Sequence, residues 1–226
     1  MSTARVIAID GPAASGKSST AAAVARALRI AHIDSGSLYR ALTWVAVRAG
    51  VRDPDVIVAL AARLHVGLVP DGDTQRVHLD GIEDVEAAIR DPEVNARVSA
   101  IAALPVLREW VNVKLREAIA RGGNTVIDGR DIGTVVVPDA ELKIYLTATP
   151  LARARRRLLQ QGGITDPEQL AGETARLAER DRLDAARATA PLRQAPDAVV
   201  LDTTGMTFAE QVDRIVQLAA EQGLAK

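Results

Sequence analysis

No cysteine occurs anywhere in the 226 residues. Disulfides, thiolate metal sites and a cysteine nucleophile are thereby excluded, and the lack fits a reducing compartment. Aromatics are nearly as scarce: Trp44, Trp110, Tyr39, Tyr145 and Phe208 are all there are, too few for a base-stacking platform. The formal net charge is −1, so no excess of positive charge recommends nucleic acid as a partner. No apolar run approaches the roughly 20 residues of a membrane span. Met1 to Arg5 lead almost at once into an apolar strand, which leaves no room for a signal peptide; the expectation is a soluble cytoplasmic protein without a membrane partner. No Asn-Lys-x-Asp stretch occurs, against a guanine-nucleotide switch. His32, His65 and His78 stand without metal-ligand spacing and read as structural or solvated.

What is present is a regular alternation of short apolar runs with helical patterns. Val6 to Ile9, Thr125 to Ile127 and Leu142 to Leu146 read as buried strands, and Ala31 to Ile33 and Ala198 to Leu201 as two further strands. Helices are expected at Leu38–Ala49, after Asp53-Pro54, from Asp91-Pro92 to Arg121 with a break near Leu104-Pro105, and from Thr149-Pro150 to Gln161. Two more follow, near Pro167 and from Phe208 to Glu221. Strands and helices of these lengths in alternation argue a doubly wound α/β sheet. Between Val66 and Val85 the texture becomes β-like in three short pieces, around the turn Pro70-Asp71-Gly72-Asp73. That segment is expected as a small antiparallel insertion outside the main sheet, with Ile82–Val85 as its third strand.

Gly11, Pro12, Ala13, Ala14, Ser15, Gly16, Lys17 and Ser18 have the spacing of a phosphate-binding loop, set between a strand and an alanine-rich helix. Its glycines let successive N–H groups point inward at phosphate oxygens, and the helix N-terminus adds positive potential. Lys17 would reach the β- and γ-phosphates of a nucleoside triphosphate, and the Ser18 hydroxyl would hold Mg²⁺. Asp34 and Ser35 follow the second strand, on the carboxyl edge that carries Lys17; they either face ligand or cap the next helix. Arg40, about one and a half turns into that helix, can project back toward a second anion. Asp128 ends the strand Thr125–Ile127 and suits Mg²⁺, bound directly or through a water. Arg130 offers a planar fork for phosphate, and Asp131 an acceptor for an exocyclic amine.

Arg153, Arg156 and Arg157 fall on one helix face, and Arg176, Arg180, Asp184 and Arg187 on one face of the next. Such runs are either a solvated, salt-bridged surface or, flanking Gly162-Gly163 and the polar stretch 164–168, a mobile lid over phosphates. Transfer between two anions needs several cations and the exclusion of water, which favours the lid.

These residues resemble bacterial cytidylate kinases, a branch of the nucleoside monophosphate kinases. The resemblance runs through IAIDGPAASGKSS, HIDSGSLYRA, DGRDIGTVV with PDA after it, and ERDRLD with the downstream APL. It implies a five-stranded parallel core of the P-loop kinase type, a monophosphate-binding region enlarged by a small antiparallel sheet, and a helical arginine lid. The core would take 1–34, 123–150 and 195–226, the monophosphate-binding region about 35–122 with its β insertion about 64–87, and the lid about 151–190. By resemblance Gly11 to Ser19, with Arg153 and Arg157, hold ATP. Arg40, Arg130 and Arg187, with Lys17, hold the acceptor phosphate beside Ser35; Ser99, Arg108 and Asp131 read cytosine; Arg180 and Asp184 bind the sugar. Lys17, Arg130, Arg180 and Arg187 would be the catalytic set. Two departures stand out: Ala13 and Ala14, where the family often has a hydroxyl or glycine, and Ala185, where many members have serine.

The implied reaction is transfer of the γ-phosphoryl group of ATP, with Mg²⁺ as cofactor, to CMP or dCMP by a monomer. Rival readings are a kinase for UMP, AMP or another small acceptor, and a nucleotide-dependent binding module.

Overall fold

Side chains of β1 (Val6–Asp10) alternate between two cores, Val6 and Ala8 entering one and Ile7 and Ile9 the other. A strand buried on both faces needs helices on both faces, and the computed structural model, which describes residues 4–163 and 166–224, has them. β2 (Ala31–Asp34), β5 (Thr125–Gly129), β6 (Leu142–Thr147) and β7 (Val199–Asp202) run parallel to β1. Against one face pack residues of α2 (Ser35–Ala49), α3 (Pro54–Arg63), α5 (Pro92–Ile101) and α6 (Pro105–Gly122). Against the other pack α1 (Lys17–Leu28) and α9 (Phe208–Glu221). α7 (Pro150–Gln160) and α8 (Pro167–Ala185) pack on each other. Proline opens five of these helices, four of them behind an Asp or Thr whose side chain accepts a helix N–H. Proline's missing N–H costs nothing there, so these starts are legible from residue order.

The sheet has seven strands in the order β3-β4-β2-β5-β1-β6-β7. β3 (Gly67–Asp71) and β4 (Thr74–His78) form the expected hairpin, but it does not stand outside the main sheet. β4 pairs parallel with β2 through His32 opposite Thr74 and Ile33 opposite Gln75. Without the hairpin β2 would leave an open edge of unpaired backbone groups. The third expected strand is also corrected. Asp84 accepts the Ala87 N–H and starts the short helix α4 (Val85–Ile89), so a capping residue outweighs the apolar alternation around Ile82. α2 begins at Ser35, three residues before the expected start, because Asp34 accepts the Gly36 N–H at 2.9 Å. His65 and His78 both bond Asp80 at the base of the hairpin, at 2.5 and 2.8 Å.

Parallel strands bring their carboxyl ends to one rim. There lie the loop after β1, the β2–α2 junction and the Asp128–Asp131 segment after β5, the layout in which open α/β sheets bind ligands.

Candidate active site

One cavity of about 570 Å³ follows that rim. Among the described residues nine lysine and arginine side chains and four aspartates line it, so it is built for anions.

The loop between β1 and α1 is shaped by backbone. A Cβ on Gly11 would stand 2.1 Å from the Leu146 carbonyl oxygen, so nothing larger than glycine fits as the loop passes β6. Ala14 and Gly16 take left-handed conformations, with φ of 56° and 90°. Gly16 caps α1 with no side chain over the first N–H groups of the helix, the arrangement that favours phosphate. Lys17 lies under the loop, 6% exposed, its Nζ donating to the Pro12 carbonyl at 3.1 Å. Burial, then Arg130 and Arg180, push its pKa down to about 7 against the pull of Asp128 and Asp34.

Asp128 is 1% exposed. Its two oxygens accept the Ser18 hydroxyl at 2.5 Å and meet His32 Nε2 at 2.9 Å. Asp34 stands opposite it in register, and burial followed by the Asp128 charge raises the Asp34 pKa. The buried Asp128, the half-buried Asp34 and the Ser18 hydroxyl are an all-oxygen set of the kind a hard cation would take. Ser35 donates to the Asp128 carbonyl at 2.7 Å.

At the α5–α6 end of the cavity Arg108, 2% exposed, donates to Asp131 at 2.5 Å and to the Ala102 carbonyl at 2.9 Å. Its guanidinium lies over the Tyr39 ring, 5.4 Å from the centroid. Burial pushes the Tyr39 hydroxyl pKa well above its ordinary range, so it stays neutral. Ser99 lines the same end. Asp131 is aimed from below by β1. Asp10 accepts the Ile132 and Gly133 N–H groups at 2.9 and 2.8 Å, at the start of a single π-helical turn, Ile132–Val136.

Between these ends the cations converge. Arg130 donates to Asp184 at 3.0 Å, and Arg187 faces the other Asp184 oxygen at 3.2 Å. Arg40 bonds Asn95 beside them. The Arg180 pKa is lowered to about 10, by burial and then by Arg130. Its Nε is buried without a hydrogen-bond partner among the described residues. A buried donor without an acceptor marks a place where an anion stabilises the site.

The structure thus gathers around one cavity Ser35, Arg40, Ser99, Arg108, Arg130, Asp131, Arg180, Asp184 and Arg187. Lys17, Ser18, Ser19, Asp128 and Arg157 join them, as do Ala14 and Gly16 of the loop. Gly11, Pro12, Ala13 and Ser15 shape the loop from behind and do not line the cavity. Arg153 is also not on its wall. Its guanidinium is spent on the carbonyls of Ala148 and Ala13 and on Asp181. Arg153, Arg156 and Arg157 of α7 share no common partner, since Arg156 bonds Thr203 and Arg157 meets Glu173 at 3.0 Å. Arg176 turns away to Glu173. Of the interrupted stretch 164–168, residues 164 and 165 lie outside the described residues. Sequence reasoning passed over Tyr39, Arg90, Met206, Phe208 and Gln211, which also line the cavity. Tyr39 sits one residue before Arg40, and Phe208 opens the helix after the last strand. Only strand order shows that those positions reach the same rim.

The sequence model of the family described as Cytidylate kinase matches residues 7–221. A cytidylate kinase from Geobacillus kaustophilus is 46% identical over 96% of this chain and 96% of its own. A bifunctional pantoate ligase/cytidylate kinase from Synechococcus sp. (strain JA-3-3Ab) is 46% identical over 94% of this chain. This chain spans only 40% of that bifunctional protein's length. Among solved structures, an uncharacterized protein from Eubacterium ventriosum aligns over 96% of this chain and 98% of its own, with a TM-score of 0.51 at 11% identity; that likeness is one of fold.

Proposed function

Because the chain belongs to the cytidylate kinase family, we propose that it transfers the γ-phosphoryl group of ATP to CMP and dCMP, giving ADP with CDP or dCDP. The observation that carries the reading is the pairing of Arg108 with Asp131, buried at one end of a cavity whose middle is cationic. Cytosine presents an amine donor beside the N3 and carbonyl acceptors, so a carboxylate next to a guanidinium matches that edge and mismatches uracil's.

In the proposed reaction an oxygen of the acceptor phosphate forms a bond to the γ-phosphorus while the bond from that phosphorus to the bridging oxygen of ADP breaks. The attacking oxygen is ionised near neutral pH, so no side chain has to take a proton. Catalysis rests on placing two anions in line and spreading charge over fixed cations. Lys17, Arg130, Arg180 and Arg187 are the catalytic cations, and Arg40 with Ser35 holds the acceptor phosphate. Ser99 supports the base beside Arg108 and Asp131, and Asp184 with Arg180 holds the sugar. The loop Gly11–Ser19 grips the donor phosphates through Ala14, Gly16, Lys17, Ser18 and Ser19 on the cavity wall, and Arg157 reaches them from α7. Ser18 and Asp128 would hold Mg²⁺, which would supply positive charge against the donor phosphates when bound with ATP. The division into a core, an acceptor region from about 35 to 122 and a lid from about 151 to 190 belongs to this reading. So do a monomeric state and a cytoplasmic place. No helix among the described residues is long and apolar enough to cross a membrane.

An ADP-release assay over CMP, dCMP, UMP and AMP tests the assignment. CMP and dCMP are expected to lead, and Asp131→Ala to lower kcat/KM for CMP by about 100-fold, the scale of a lost buried polar match. UMP or AMP serving as well as CMP would overturn it.

A further inference from the structure

We propose that Asp181 and Arg153 are positioning residues that clasp the apex of the phosphate loop, and that the grip on donor phosphates depends on them. The proposal rests on the donor reading of the loop given above. Asp181 Oδ1 accepts the Ala13 N–H at 2.8 Å, and Oδ2 accepts Arg153 Nη1 at 2.6 Å. The same Nη1 donates to the Ala13 carbonyl at 2.8 Å, while Arg153 Nε donates to the Ala148 carbonyl at 3.0 Å, where β6 passes into α7. Both backbone groups of one loop residue are therefore taken by side chains from two different helices.

The ring is sheltered. Ala13, Ala154 and Leu177 form a buried apolar cluster separate from the two main cores, with Ala14 and Leu170 packed against it. Arg153 is 4% exposed. Charged hydrogen bonds away from water are stronger and more directional than those at the surface. Ala13 and Ala14 thus meet both α7 and α8.

Two consequences follow from the geometry. Holding the peptide planes on either side of Ala13 sets the direction of the N–H groups that come after it, which a phosphate loop needs. It also holds Ala14 at φ 56°, a conformation that alanine keeps only where its surroundings over-determine it. On α8, Asp181 is the immediate neighbour of Arg180. Successive residues are turned about 100° around a helix, so pinning Asp181 to the loop fixes the rotation that points Arg180 into the cavity. The clasp sets the loop and the lid cation together.

Calorimetric titration of ATP alone into the full chain tests this, with Asp181→Ala, Asp181→Asn and Arg153→Lys beside the wild type. Loss of a charged hydrogen bond at this place is expected to weaken ATP about tenfold in Asp181→Ala. KM for ATP should rise by a like factor, and by more than KM for CMP, which feels the clasp only through the orientation of Arg180. The Ala13 amide should exchange faster with solvent. Asp181→Asn keeps an oxygen for the Ala13 N–H but turns an NH₂ toward Arg153, losing the ion pair and its hydrogen bond, so it should fall between. Unchanged or tighter ATP binding would overturn the proposal, as would equal rises in both KM values tracking a lower Tm. If Asp181→Ala does not fold, Asp181→Asn and Arg153→Lys carry the same comparison. ATP binding that depends on the clasp in a protein inert toward CMP would sink the acceptor reading and leave the clasp standing.

Discussion

Lys17 meets two opposed demands: burial under the loop after β1, which disfavours its charge, and the contact with phosphate proposed for it, which requires that charge. Its pKa of about 7 in the free site follows from burial and from Arg130 and Arg180 nearby. Above pH 7 the free site therefore holds mostly neutral amine, and an arriving anion restores the proton. ATP binding at pH 8, where its γ-phosphate is already ionised, is expected to take up a proton. Calorimetry in buffers of different ionisation enthalpy reads this directly, and Lys17→Ala should abolish the uptake and cut turnover by about 100-fold or more. Binding at pH 8 without proton uptake would contradict the assignment. The arginines show how far residue-level reading reaches. Helical spacing separated Arg180, Asp184 and Arg187, which line the cavity, no better from Arg153 and Arg176, which do not. Spacing reports which face a residue occupies, and only packing decides what that face meets.

At the scale of elements, the turn Ile132–Val136 carries Asp131 into the cavity and is hung on Asp10. Burial raises the Asp10 pKa to about 6, against the two N–H groups it accepts. A carboxylate whose folded pKa is raised contributes stability that is full below its unfolded value, near 3.8, and is lost as pH rises through about 6. Asp10→Asn removes that loss. Its amide turns an NH₂ toward one of the two N–H donors, which lowers stability by an amount independent of pH. From pH 4 to 7 the wild type should therefore lose roughly 2–3 kcal/mol relative to the variant. Urea unfolding at four pH values checks this, and parallel stability curves would refute it. Elements opened by proline behind a capping residue were legible from order alone, because cap and proline act within one turn. The β3–β4 hairpin was legible as a hairpin. Its place beside β2 was not, since strand neighbours are chosen by edges distant in sequence.

For the whole molecule, the residues proposed to hold donor and acceptor line one continuous cavity rather than two. An adenosine and a cytidine joined through a phosphate chain should fill it in one event and bind about 100-fold or more tighter than ATP, the gain expected when a second site is engaged intramolecularly. Competition with both ATP and CMP is the readout. Displacement of ATP alone would mean that the two ends are not one cleft. Residue order by itself determined the phosphate loop, the strand-helix alternation and the Asp-Gly-Arg-Asp turn, because each is set by contacts within a few residues. The tertiary structure decided which arginines face the cavity, that His32 holds Asp128, that Asp10 hangs the turn and that Asp181 closes on Ala13. Those partners lie between 96 and 168 residues apart, and no local rule of spacing couples side chains that only the folded sheet brings together.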